Sequence, residues 1–226
     1  MPSHHEIPAT PDTTVLGCFD AAPKPVLTVE SGDTVTLHSH PAGGRATLHP
    51  DPARRPADCL AALDALAPGL GPHFVTGPIH VRGALPGNVL QVDLLNLKFR
   101  MDRGFVAILP LLGTLPDEFT DYETIRPDID VGRGVAGLPW GTELPLDPFF
   151  GIPATAPPPA WGTVTSSVPR RLDGNMDSRE LKAGITLYRP VFAEGRGSLP
   201  ATATACRATA RSASRRWRPG PPARSG

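Results

Sequence analysis

Beyond Glu194 the 226-residue sequence contains no aspartate, glutamate or lysine; arginine, alanine, serine, threonine, proline and glycine make up most of what remains. Seven of the chain's 22 basic residues, all arginine, fall from Arg196 onward. The body up to Gly195 therefore holds 15 basic residues against 22 acidic, a net charge of −7 hidden by an overall balance of zero. An acidic body suits a soluble enzyme and speaks against a nucleic-acid surface there. Other things are missing. No GxGxxG or GxxxxGK[ST] run is present, which argues against a nucleotide cofactor, and no GxSxG elbow, which argues against a serine hydrolase of that type. Three cysteines (Cys18, Cys59, Cys206) form no CxxC pair and fit a reducing compartment better than a disulfide framework. "MPSHHEIPAT" is no signal peptide, and no stretch approaches the roughly 18 apolar residues of a membrane span. The expectation is a soluble, cytoplasmic protein.

Glycine and proline, by contrast, are abundant, at 23 and 29 residues, and they cut the chain into short runs. "KPVLTVESGDTVTLHSH" alternates on both sides of Ser31-Gly32-Asp33, the pattern of a hairpin. "GPIHVRGALPGNVLQVDLLNLKFR" repeats the form, with a strand at Ile79–Val81, a turn at Leu85 to Asn88 and a longer strand from Val89 to Phe99. "GITLYRPVF" predicts another strand. Only "DCLAALDALAPGLG" has helical spacing, with Leu60, Leu63 and Leu66 along one side and Pro68 as the stop. These runs predict a mainly β fold, a sandwich or barrel, with one short helix near residues 57–67. "LPWGTELPLDPFFGIPATAPPPAWG" reads as a rigid extended loop whose Trp140, Phe149, Phe150 and Trp161 call for burial.

Candidate chemistry is sparse. His38 and His40 in "LHSHP" share a strand face and could bind a metal; a polar strand end beside a loop is the plainer explanation. His73, just before a strand, reads equally as a pocket residue or a satisfied polar group. "DGNMDSRELKAG" gathers Asp173, Asn175, Asp177 and Glu180, carboxylates close enough to bind a cation or to act as general acid and base, although an Asp/Asn-rich turn would look the same. The spacing is not that of an EF-hand.

Taken in order, "IPATPDTTVLGCFDAAPKPVLTVESGDTVTL", "GPHFVTGPIHVRGALPGNVLQVDLLNLKFR", "LPLLGTLPDEF", "GVAGLPWGTELPLDPFFGI", "APPPAWGTVTS" and "GNMDSRELKAGITLYRPVF" resemble the acetamidase/formamidase family over most of residues 6–193. The resemblance implies hydrolysis of short aliphatic amides such as formamide and acetamide, a mainly β fold and a homo-oligomer. It implies no cysteine nucleophile; the missing apolar span and Gly-rich phosphate motifs already argue against a membrane and a nucleotide cofactor. It points to His73, Asn175 and Asp177 as pocket residues and less strongly to Glu180, with Asp177, Asn175 and Glu180 as catalytic groups. Metal ligation by His73 and Asp177, with a divalent ion such as zinc, is motivated by residue type and resemblance together. Where the family often has His-Gly-Gly-Asn, this chain has Leu172-Asp173-Gly174-Asn175.

Family members continue after the last of these segments through a motif close to Gly-Asp-Gly-His-x-x-Gln-Gly-Asp-Gly-Glu. Here Pro200 to Ser212 stands in its place. Back-translated with GC-rich codons and regrouped so that each triplet takes the third base of one codon and the first two of the next, that segment reads Gly-Asp-Gly-His-Gly-Leu-Gln-Gly-Asp-Gly-Glu-Val. A frameshift between about Glu194 and Leu199 is therefore expected. It divides the chain into an amidase-like body, 1–195, lacking its last strands, and an out-of-frame, disordered tail, 196–226. The competing readings are a basic arm that binds nucleic acid, with Trp217 stacking on bases, and a non-catalytic β-sandwich binding module.

Overall fold

Val89–Leu97 alternates apolar and polar residues, and every second side chain from Leu90 to Leu94 is buried, as a strand with one face on a core requires. The computed structural model describes residues 1–112 and 115–194, together with the backbone of 201–205 and 213–219. The chain opens with β1 (His4–Ile7), β2 (Thr14–Leu16), β3 (Cys18–Phe19), β4 (Leu27–Val29) and β5 (Thr34–Leu37). The helix α1 (Ala57–Ala65) precedes β6 (Phe74–Thr76), β7 (Ile79–Val81) and β8 (Val89–Leu97). Short strands follow: β9 (Val106–Ile108), β10 (Glu123–Ile125), β11 (Asp128–Asp130), β12 (Val135–Gly137) and β13 (Glu143–Pro145). The last are β14 (Pro148–Pro153), β15 (Val164–Thr165), β16 (Thr186–Pro190), β17 (Ala201–Ala205) and β18 (Ala213–Pro219).

The largest sheet runs β1-β5-β18-β8-β16, with β1 parallel to β5 and the other neighbours antiparallel. Its buried face carries Val35, Leu37, Leu90, Val92 and Leu94, which join Val29, Ile79 and Val81 of the parallel β4–β7 pair in one core. The fold is mainly β, as the runs predict, and its sheets are small. The expectation of a disordered tail concerns residues 196–226, most of which lie outside the described residues; the backbones of 201–205 and 213–219 pair with β14 and with β5 and β8 respectively. Among the described residues no helix is long and apolar enough to cross a membrane.

Both expected hairpins are corrected. β4 pairs with β7 and β5 with β1, so the two halves of "KPVLTVESGDTVTL" enter different sheets. The turn between them is held by the Asp33 carboxylate, which accepts the backbone N–H of Glu30 at 3.0 Å and of Ser3 at 2.7 Å, tying it to the N-terminal strand. Likewise β8 pairs with β16 rather than β7. Alternation fixes which face of a strand is buried; it does not name the neighbour. Helix α1 lies within its expected range, but its seam is rotated. Cys59 and Ala62 are buried against Phe74, with Leu63 and Leu66 beside them, the i, i+3, i+4, i+7 set of one helical face. Of the loop aromatics, Phe149 and Phe150 are buried, whereas Trp140 is 62% and Trp161 42% exposed.

Candidate active site

Three glycines let two turns close on each other around His73. A Cβ on Gly17 would overlap the Gly71 backbone, and one on Gly69 would overlap the Leu16 carbonyl; only glycine permits this approach, and Gly17 also has φ of 71°. Gly17 N–H donates to the His73 carbonyl at 2.7 Å, and its own carbonyl accepts from Ser166 N–H at 2.8 Å. The backbone so fixed puts His73 Nδ1 2.8 Å from Ser166 Oγ. Ser166 is fully buried and His73 is 9% exposed. Beside them Asn175 Nδ2 donates to the Ser167 carbonyl at 3.0 Å, while Asn175 Oδ1 is buried without a hydrogen-bond partner. His73 and Asn175 thus hydrogen-bond to adjacent residues of one loop, Ser166 and Ser167.

Desolvation pushes the His73 imidazole down to about 4, so at neutral pH the ring is uncharged and one ring nitrogen is an acceptor. The unfolded chain titrates near 6.5, so the stability contributed by the neutral ring is complete above that pH and is lost as the pH falls through about 4. Urea unfolding at pH 7.5 and pH 5 is expected to show a clear loss at the lower pH that shrinks in His73→Gln; equal losses in both proteins would refute the assignment.

The other expected site residues spread out. Asp177 is exposed, at φ 44°, with its N–H donating to the Gly151 carbonyl at 3.0 Å. Glu180 is exposed. Asp173 turns away to Arg189, whose Nε lies 2.6 Å from Asp173 Oδ2. His38 pairs with Glu6 at 2.7 Å, and the buried His40 lies 2.9 Å from the Ala9 carbonyl. The two histidines therefore face separate partners rather than one ion. Burial, and secondarily the Asp20 carboxylate, push the Cys18 thiol up, which keeps it protonated and unsuited to nucleophilic attack.

At the far end of the paired β3 and β15, roughly 10 Å from Gly17 at ~3.3 Å per residue, a cleft of about 810 Å³ opens between Asp20, His80, Thr163 and Glu194. Thr163 Oγ1 donates to Asp20 Oδ2. Sequence reasoning missed this group. Its members come from four distant segments, each carrying a single polar residue with no local pattern to flag it.

No family model matches the sequence, and no curated protein matches it. Solved structures do match. A predicted acetamidase/formamidase from the thermophile Thermoanaerobacter tengcongensis superposes with a TM-score of 0.73 at 21% identity, covering 97% of this chain and 70% of that one. An acetamidase from Bacillus halodurans gives 0.74 at 22% identity, with 95% and 70% covered. The chain has the acetamidase/formamidase fold. A gamma lactamase from Delftia acidovorans shares it, with a TM-score of 0.71 at 17% identity, over 93% of this chain and 64% of that one.

The amidase fold raises the question of a catalytic metal. His73 and Asp177 supply two ligand types, short of the three protein ligands of a catalytic zinc site. Among the described residues no three His, Cys, Asp or Glu side chains group to complete one. His73 Nδ1 is also engaged with Ser166. The described residues do not by themselves fit a zinc ion.

Proposed function

We propose that this amidase-fold chain is built to hydrolyse short aliphatic amides, formamide and acetamide, to carboxylate and ammonia. The observation that supports this most is the match over 93–97% of the chain to structures named acetamidase, formamidase and gamma lactamase, names that share cleavage of an amide C–N bond. A resonance-stabilised amide needs its carbonyl polarised, a water activated and its nitrogen protonated as it leaves. Asn175 Oδ1, a buried acceptor without a donor, suits an amide N–H, because a neutral substrate donor would relieve its desolvation. Asp177, two residues along the same turn, is the carboxylate for water activation, and Glu180 is an auxiliary acid. The reading includes the frameshift, with the remaining acids and histidine of the site encoded in the shifted frame, so the 226-residue chain itself is impaired.

In a chain carrying the restored frame, Asp177→Asn is expected to lower kcat for ammonia release from formamide on the order of 10²-fold or more. Asn175→Ala should chiefly raise KM, and Glu180→Gln should act weakly. Full activity in Asp177→Asn would remove that residue from the mechanism, and no turnover of any short amide would remove the function.

A further inference from the structure

A cavity of about 100 Å³ lies between the 41–56 segment and the loops around residues 101–105 and 126–128, away from the site above. Pro41, Leu48, Met101, Phe105 and Pro127 give it apolar walls, and Arg54, Arg103 and Arg126 bring three guanidinium groups to it. Their hydrogen bonds are largely spent on the fold. Arg103 Nη1 donates to the Arg54 carbonyl at 2.7 Å; Arg126 Nη1 and Nη2 donate to the Thr124 and Leu48 carbonyls at 3.2 and 3.3 Å. Backbone carbonyls satisfy N–H groups without neutralising charge. The carboxylates at hand are Asp128, 3.1 Å from Arg54, and Asp102, whose Oδ1 lies 3.0 Å from Arg103 Nε without being aligned to accept from it. Three guanidinium groups against two carboxylates leave one positive charge over. Two N–H groups, Arg103 Nε and Arg126 Nε, are buried without a hydrogen-bond partner, and buried donors of charged groups are costly to leave so.

We propose that this cavity is a binding site for a short-chain monocarboxylate. The uncompensated charge matches a monoanion, and a planar carboxylate presents two acceptors of the kind guanidinium N–H groups pair with. The apolar walls suit a short alkyl chain and disfavour a strongly hydrated dianion such as phosphate. The volume of about 100 Å³ is on the scale of a small ligand. A wider cleft of about 430 Å³ shares Arg54, Pro56, Met101 and Arg103 with the cavity; it adds Arg55, together with Arg100 and Asp58, which pair with each other, and Asp102. The inference does not depend on amide hydrolysis, because its test reads binding rather than turnover.

The test is titration calorimetry of the 226-residue chain with propionate, beside its neutral isostere propionamide and inorganic phosphate. Propionate is expected to bind, and propionamide and phosphate to bind at least about tenfold more weakly. Arg126→Gln should weaken propionate about tenfold or more. Should that variant not fold, Arg103→Lys, which keeps the charge and loses the Nε–H, should weaken it by a smaller factor. Propionamide binding as well as propionate, phosphate binding better, or propionate affinity unchanged in the variants would each overturn the proposal. An absence of propionate binding to the parent chain would do so as well, while leaving the amidase reading untouched.

Discussion

A chain whose reading frame is restored between codons 194 and 199 is expected to release ammonia from formamide at a rate on the order of 10²-fold or more above that of the 226-residue sequence. Two features of the fold bear on the frame. The first is the slot between β5 and β8, where β18 lies. Position 215 is opposite Val35 and Leu94, position 217 opposite Val92 and position 219 opposite Leu90, and all four body residues are 0–2% exposed. A strand placed centrally with one face on such a core calls for apolar residues at alternate positions and an unbroken row of N–H donors. The sequence there offers Arg215, Trp217 and Pro219. Read in the shifted frame, the first two bases of the Trp217 codon with any base before them encode only leucine, methionine or valine, and a serine TCN codon becomes phenylalanine, leucine, isoleucine or valine. The shifted reading therefore supplies an apolar residue at position 217, opposite Val92, whereas the shifted codons at 215 and 219 encode small or polar residues. The second is the 810 Å³ cleft, which has Ala193 and Glu194 at its wall, immediately before the segment where the frame is proposed to change. Comparable ammonia release from the 226-residue protein would refute the prediction. So would a soluble, folded frame-restored protein that releases none.

What could be read in advance follows from the range of the signal. β8 and α1 were legible because each announces itself within about ten consecutive residues through a two-residue or 3.6-residue period. Pairing was not, since β5 finds β1 rather than β4, and Asp33 holding Ser3 N–H is an interaction across 30 residues. The same limit governs the site. His73 stood out before a strand, but its partner Ser166 lies 93 residues away in an unremarkable "TSSVP". The carboxylate cluster read from "DGNMDSRELKAG" failed for a different reason. Closeness in sequence suggested that Asp173 would join Asp177, but the turn aims it at a guanidinium from β16. An arginine at 0% exposure inside "TLYRPVF" has no marker in the sequence, because only the structure shows which strand residue faces inward without access to water.

That guanidinium carries the largest stability prediction. Arg189 is fully buried, with Nε donating to Asp173 at 2.6 Å, Nη2 to the Leu172 carbonyl at 3.0 Å, and Nη1 without a partner. Desolvation, opposed by the Asp173 charge, holds its pKa down to about 10, so at neutral pH the charge stays on. Asp173→Ala leaves that charge buried and unpaired and is expected to cost about 3–5 kcal/mol in urea unfolding. Arg189→Met is expected to cost less, because it removes the fully buried member and leaves a carboxylate whose side chain is 23% exposed and can be reached by water. The double variant Arg189→Met/Asp173→Asn should regain most of what Asp173→Ala loses; equal losses in all three proteins would show the pair to be packing rather than electrostatics. The consequence extends to the site. Asp173, Gly174 and Asp177 have φ of 74°, 94° and 44°, a turn held against local backbone preference. Arg189 grips both Leu172 and Asp173 at its start, and Asn175 and Asp177 sit on the part of the turn that this grip positions. Loosening it should therefore lower stability and, in the frame-restored chain, amide turnover together.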